Sequence, residues 1–222
     1  MVSYLCLYAT RPRVPDIRFL FHICFFWVIY FMTKITIVYF SGFGHTAKQA
    51  EAVQRGATSV FGTEVTVLRI DKQGNLPEGA LETLAEQHAI IYGTPTYMGG
   101  PAWQFKKFAD TTSKLWFTEA LKDKVAAGFT NSASANGDKH STVQYLFTLS
   151  QQLGQIWVGL GLMPSNKKGS TRDDVNYAGG FAGAFAISPS DTSPEEAPSS
   201  GDLRTAEILG QRVAEIAGKL SR

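Results

Sequence analysis

The sequence predicts an α/β fold, a doubly wound parallel sheet with helices on both faces. Three observations carry this. Runs rich in β-branched and aromatic residues at 35–40, 64–70, 88–93, 124–130 and 155–160 alternate with stretches whose apolar residues recur at helical spacing. That alternation implies parallel strands joined by right-handed crossovers. The first run, Ile35-Thr36-Ile37-Val38-Tyr39-Phe40, holds no charge and reads as a strand buried on both faces. Finally, the turns after the first, third and fourth runs are built from Gly, Pro, Ser, Thr and Asn, and ligands in such sheets bind at the carboxyl ends of strands.

The elements follow in order. After strand 35–40 and the turn Ser41-Gly42-Phe43-Gly44-His45-Thr46, a helix carries Ala47, Ala50, Val53, Ala57 and Val60 on one face. Strand 64–70 leads through Gly74, Pro77 and Gly79 to a short helix over 81–86, then to strand 88–93. A loop over 94–101 follows, and Pro101 takes the first position of a helix with Ala102, Phe105, Phe108 and Ala109 inward. Trp103, inside that helix, is assigned to core or interface packing. Strand 124–130 ends in the polar loop 131–138, and Ser141 with Gln144 forms a capping box for a helix with Val143, Leu146, Phe147 and Leu153 inward. Residues 155–160 make the fifth strand. The polar stretch 163–180 reads as a lid, an oligomer contact or a solvated insertion, 184–187 as a short added edge strand, and 188–201 as a Pro/Ser-rich linker. Leu203, Ala206, Leu209, Val213, Ile216 and Leu220 mark a last amphipathic helix.

At 222 residues, with 44% hydrophobic and 18% charged content, the chain has the composition of one globular domain plus an extension. The extension is residues 1–31, an apolar leader read as lying outside the fold, with translation expected to begin at Met32; residues 32–222 form the domain. The apolar run 19–32 would reach about 21 Å as a helix against roughly 30 Å of hydrocarbon, so no membrane association is expected apart from that leader. The net charge of +2 arises in the leader, because Arg11, Arg13 and Arg18 against Asp16 leave eighteen basic and eighteen acidic residues beyond it. A neutral domain gives no reason to expect nucleic acid as a partner. Cys6 and Cys24 both lie in the leader, so the domain has no thiol for a disulfide, a nucleophile or a zinc site. A cytoplasmic location and no metal site are expected.

The turn at 41–46 is suited to phosphate, since its glycines admit close approach, Ser41 and Thr46 add hydroxyls, and a helix start adds the positive end of its dipole. A nucleotide-triphosphatase loop would need a Lys beside Thr46, and none stands there. A dinucleotide loop remains open, because Gly42-Phe43-Gly44-His45-Thr46-Ala47 fits G-x-G-x-x-A and Asp71 follows the next strand as a candidate ribose ligand. The hydroxyls and His45 suit a terminal phosphomonoester better, with more lone pairs to satisfy. At the same sheet edge, Tyr97 and Met98 offer flat, soft surface for a heterocycle. No catalytic acid, base or nucleophile is assigned.

With Ser41-Gly42-Phe43-Gly44-His45-Thr46, Gly93-Thr94-Pro95-Thr96-Tyr97-Met98-Gly99 and Asn131-Ser132-Ala133-Ser134 on one edge, the chain resembles the flavodoxin-like NAD(P)H:quinone oxidoreductases of the WrbA type, from Met32 to the C-terminus. The resemblance implies five strands in the order 2-1-3-4-5. It implies that Ser41, Gly42, Phe43, Gly44, His45 and Thr46 hold the FMN phosphate. Pro95, Thr96, Tyr97, Met98 and Gly99 would border the isoalloxazine ring, and Asn131, Ser132, Ala133, Ser134, Ala135 and Asn136 would form the third FMN loop. Phe43 would stand near the nicotinamide path and Trp116 at the substrate face. The chain departs from the family at Leu153, where relatives often carry a flavin-contacting His before the Gly, and its third loop has fewer glycines.

The expected activity is transfer of two electrons from NAD(P)H through FMN to a quinone, in a homodimer or homotetramer. Two rivals use the same site. One is a flavodoxin-type electron carrier, against which neutrality counts, since such carriers are acidic for docking; the other is an adaptor module without turnover.

Overall fold

A computed structural model describes residues 32–221. The leader, and with it the expectation about residues 1–31, lies outside the described residues. The chain runs β1 (Thr33–Tyr39), α1 (His45–Thr58), β2 (Thr63–Arg69), α2 (Ala80–Ala85), β3 (Ala89–Tyr97), β4 (Gly100–Pro101), α3 (Trp103–Thr111), α4 (Ser113–Phe117), β5 (Val125–Ser132), α5 (Lys139–Gln152), β6 (Ile156–Trp157), β7 (Ala184–Ile187) and α6 (Ser200–Leu220).

The sheet has the order β2-β1-β3-β5-β6, all parallel along this path, with Ile35 opposite Val65 and Ala89, and Ala89 opposite Val125. The expected doubly wound order is therefore present. Strand β1 is buried on both faces, as its uncharged sequence predicts. Ile35, Ile37 and Tyr39 belong to the core shared with α1 and α6, while Val38 and Phe40 belong to the core shared with α2, α3 and α5.

The fifth position differs from expectation. Residues 155–160 do not form one strand with 184–187 added beyond it. Instead β6 pairs with the first residues of β5 (Val125↔Ile156, Ala126↔Trp157), and β7 pairs with the last (Phe129↔Ala184 to Ser132↔Ile187). The two pieces share one row, and residues 158–183 form an excursion between them. Gly161, at φ 69°, turns the chain out of the sheet, and Arg212 Nε donates to the Gly159 carbonyl at 3.1 Å. The excursion closes on itself at its neck, where Leu160 N donates to Phe181 O at 2.8 Å and Trp157 Nε1 to Ala182 O at 2.9 Å. Its body is fastened to α6, with Asn176 N donating to Thr205 Oγ1 at 2.7 Å and Ser199 Oγ to Arg172 O at 2.7 Å.

Two helix starts also differ. Pro101 is not the first residue of α3 but part of β4, held antiparallel to β3 (Thr96↔Pro101), and the helix opens after Ala102. Trp103 therefore stands at the helix mouth, 60% exposed, and is not a core residue. The capping box at Ser141 does not form. Asn136-Gly137-Asp138 bends through two left-handed residues, φ 52° at both Gly137 and Asp138, which makes Asp138 the N-cap three residues ahead of Ser141 and puts Ser141 inside α5.

Candidate functional site

The carboxyl ends of β1, β3, β5 and β7 converge on a cleft of about 420 Å³. Phe43, His45 and Thr46 line it from the first turn, Pro95, Thr96 and Tyr97 from the end of β3, and Asn131, Ser132 and Ala133 from the end of β5. The three segments singled out from the sequence thus meet. A fourth wall was not foreseen: Ser188, Pro189, Ser190 and Thr192, from the stretch read as linker. Once β7 is known to occupy the fifth row, the residues following it must emerge at the ligand edge.

In the first turn, Ser41 is buried and its Oγ accepts the backbone N–H groups of Gly44 at 3.1 Å and Ala47 at 3.2 Å. The N–H groups of His45 and Thr46, at the start of α1, meet no acceptor among the described residues. They are two of the donors every helix start leaves over, and they face the positive end of the helix dipole toward whatever occupies the turn. Gly44 adopts φ 98°, and a Cβ there would come within 2.5 Å of Pro194, so the turn needs glycine on both counts. His45 Nε2 lies 3.0 Å from Thr192 O and ties the turn to the fourth wall.

The segment after β3 is less of a loop than expected. Strand pairing continues through Pro95↔Asn131, and only Met98 (φ 48°) and Gly99 (φ 78°) form the turn of a two-residue hairpin with β4. Met98 is held in a conformation costing a non-glycine residue about 1 kcal/mol, with its side chain fully exposed beside the cleft. The Tyr97 hydroxyl lies over Gly42, and its ring meets Phe43 edge-on at 6.2 Å. Burial pushes the Tyr97 hydroxyl pKa up. Beneath the cleft the hydroxyls are interlocked: Thr96 Oγ1 lies 2.8 Å from both Thr130 Oγ1 and Thr142 Oγ1, and Thr130 Oγ1 donates to Thr94 O at 2.7 Å.

Asn131 Nδ2 donates to Ser188 Oγ at 2.9 Å, joining the third segment to the fourth wall. Further along, Ser134, Ala135 and Asn136 are exposed, and their carbonyls gather about the ammonium of Lys139, whose side chain is 1% exposed. Lysine at a helix start reads as solvated, so nothing in the sequence pointed to it.

Trp116 does not reach the cleft within one chain. It lines grooves with Lys122, Asp123, Leu153 and Gly154, at the amino ends of β5 and β6. Leu153, at the position that departs from the family pattern, lies in the same place. Asp71 does not line the cleft: its carboxylate accepts Asn75 N at 2.7 Å and Gln73 N at 2.9 Å in a turn after β2. The Asn75 N–H in particular holds its pKa below the usual range. Among the described residues no group of His, Cys, Asp and Glu is placed to hold a metal.

Residues 41–167 match the family described as NADPH-dependent FMN reductase. Flavodoxin FldP of Pseudomonas aeruginosa is 47% identical over 189 residues, 85% of this chain and 99% of that protein. An NAD(P)H dehydrogenase (quinone) of Geotalea uraniireducens is 35% identical over 208 residues, 85% of this chain and 100% of the relative. Among solved structures, a flavodoxin described as WrbA-like, from Agrobacterium tumefaciens, superposes with a TM-score of 0.68 at 45% identity, covering 84% of this chain and 98% of that one.

Proposed function

The chain belongs to the NADPH-dependent FMN reductase family and is of the WrbA type, and we propose that it passes two electrons from NAD(P)H through bound FMN to a quinone. The observation that carries the cofactor reading is the start of α1, where the Thr46 side chain and the N–H groups of His45 and Thr46, which meet no acceptor among the described residues, front a cleft of about 420 Å³. Those donors fit a terminal phosphate, and the volume fits a ligand of FMN's class.

When bound, the flavin supplies hydride acceptance and donation. The protein's part is position. Ser41 keeps the turn shaped by taking the Gly44 and Ala47 N–H groups, leaving those of His45 and Thr46 for the phosphate. Tyr97 and the Met98 hairpin border the ring, and Phe43, 77% exposed, stands at the rim where a nicotinamide or quinone would approach. Asn131 and Ser132 offer polar groups at the opposite wall.

The active assembly is a homo-oligomer, dimer or tetramer. Trp116 is half exposed and stands at the edge away from the cleft, so a role for it at the substrate face requires a second copy. No described helix is long and apolar enough to cross a membrane, and a cytoplasmic location fits the neutral domain spanning residues 32–222. A second reading, an electron carrier of flavodoxin type, draws on the 47% identity with a relative named a flavodoxin.

Two measurements test the assignment. Purified protein mixed with FMN should show the twin visible bands of bound flavin, and colourless protein would end the cofactor reading. FMN-loaded protein should consume NAD(P)H with benzoquinone as acceptor; absence of quinone-dependent oxidation leaves the carrier or the adaptor.

A further inference from the structure

The third loop is shaped by a buried cation. Lys139 Nζ donates to Ser134 O at 2.5 Å and lies 3.3 Å from Ala135 O and 3.4 Å from Asn136 O. In a planar trans peptide the carbonyl and the next N–H point in opposite directions. Three consecutive carbonyls drawn toward one ammonium therefore turn the N–H groups of Ala135, Asn136 and Gly137 away from it. None of these three meets an acceptor among the described residues. The bend that follows needs the left-handed pair Gly137 and Asp138, and a Cβ at Gly137 would come within 2.1 Å of Ser132 Oγ. Such a bend does not maintain itself in a polar loop without something to close around.

We infer that Lys139 is a positioning residue for the flavin: its ammonium gathers the third loop and so presents the Ala135, Asn136 and Gly137 N–H groups as donors to the cofactor's carbonyl oxygens. This rests on the FMN reading of the cleft and extends it to a residue outside the cleft wall.

The ammonium is held at a disadvantage. Burial pushes its pKa down from the ordinary lysine value to about 8; Asp202, in the first turn of α6, draws it up, and Arg172, on the excursion, draws it down. Asp138 and His140 flank it on its own element. Asp202 is itself committed, its Oδ2 accepting Ile187 N at 2.8 Å with Arg172 at 3.7 Å. The grip on the loop therefore weakens as pH rises through about 8. Fold stability moves the other way. Between about 8 and the unfolded value near 10.5, the unfolded chain binds more protons at this site than the folded one, so the contribution of Lys139 to stability rises with pH.

The test is FMN affinity against pH, with K139M as the variant that keeps the stem and removes the charge. Wild-type protein should lose roughly tenfold in affinity between about pH 7 and 9, the size of one charge-assisted hydrogen bond. K139M should bind about tenfold more weakly at pH 7, show no such break, and melt no earlier than wild type in the cofactor-free state. Equal affinity and the same profile in both proteins would overturn the inference. Should wild-type protein bind no FMN at all, the cofactor reading fails separately. The loop is then read from backbone amide exchange over residues 134–137 of cofactor-free protein, where faster exchange in K139M upholds the clamp and equal exchange refutes it.

Discussion

Against one face of the sheet lie α1 and α6, touching through Ala50, Val53, Ala57, Ala206, Ala214 and Ala217; against the other lie α2, α3 and α5, with Phe105 and Phe108 packed on Tyr92. On the small-residue face the backbones themselves meet. A Cβ on Gly56 would lie 1.7 Å from Glu207 O, and one on Gly210 would lie 2.0 Å from Val53 O. The aromatic face fills its space with rings, Phe105 and Phe108 meeting edge-on at 5.4 Å. The difference separates two tasks. The helix that opens at the phosphate turn is fixed by main-chain contact that leaves no slack, whereas the aromatic side carries bulk apolar burial and stands apart from the turn. Damage to the first face should therefore reach the cofactor, and damage confined to the Phe105 and Phe108 rings, which line no part of the cleft, should not.

The largest effect is expected from Gly210→Val. The side chain drives α6 off α1, with a loss of roughly 4 kcal/mol in urea titration and loss of FMN retention. Retained flavin at wild-type affinity would break the comparison. Phe105→Ala empties the aromatic face and should cost about 3–4 kcal/mol, yet leave FMN affinity within about threefold in fluorescence titration. Thr46→Glu sets a carboxylate against the phosphate; FMN affinity should fall about a hundredfold with circular dichroism unchanged, and yellow protein after desalting would contradict the phosphate assignment. Ser41→Ala frees two N–H groups and should cost about 1 kcal/mol of stability together with a few-fold loss of FMN affinity. The smallest effect on the fold is expected from Trp116→Ala, under about 0.5 kcal/mol, because the ring is half exposed. Its effect should appear in the KM for quinone and in the assembly mass by light scattering, and unchanged values for both would remove Trp116 from the substrate face.

Much of this was legible in the residues. The uncharged run 35–40 reads as a strand buried on both faces, and the Gly, Ser and Thr after it read as a turn at the ligand edge; both are found there. The Pro95 segment lies at the predicted sheet edge but reads as a loop, because proline argues against a strand; in the fold it continues the sheet beside Asn131, where the chain needs no further donor. The split fifth row was hidden for a different reason. The strand 184–187 is legible, with the bounds it has in the fold, but nothing in so short a piece says that it completes the row begun by 156–157, so the wall that follows it, Ser188 to Thr192, reads as linker. Lys139 left no signal either, since only the fold reveals that three carbonyls curl over it.

The pinched neck of residues 158–183 has a consequence for engineering. Departure and return are one hydrogen bond apart, Leu160 N to Phe181 O, so closing the sheet across that gap demands almost no chain. The site is a graft point. A reporter or affinity module spliced there would leave the row of β6 and β7 unbroken, and shortening the excursion would remove Arg172 from beside Asp202 and from the Ile187 carbonyl that precedes the fourth wall, while deleting no residue that lines the cleft.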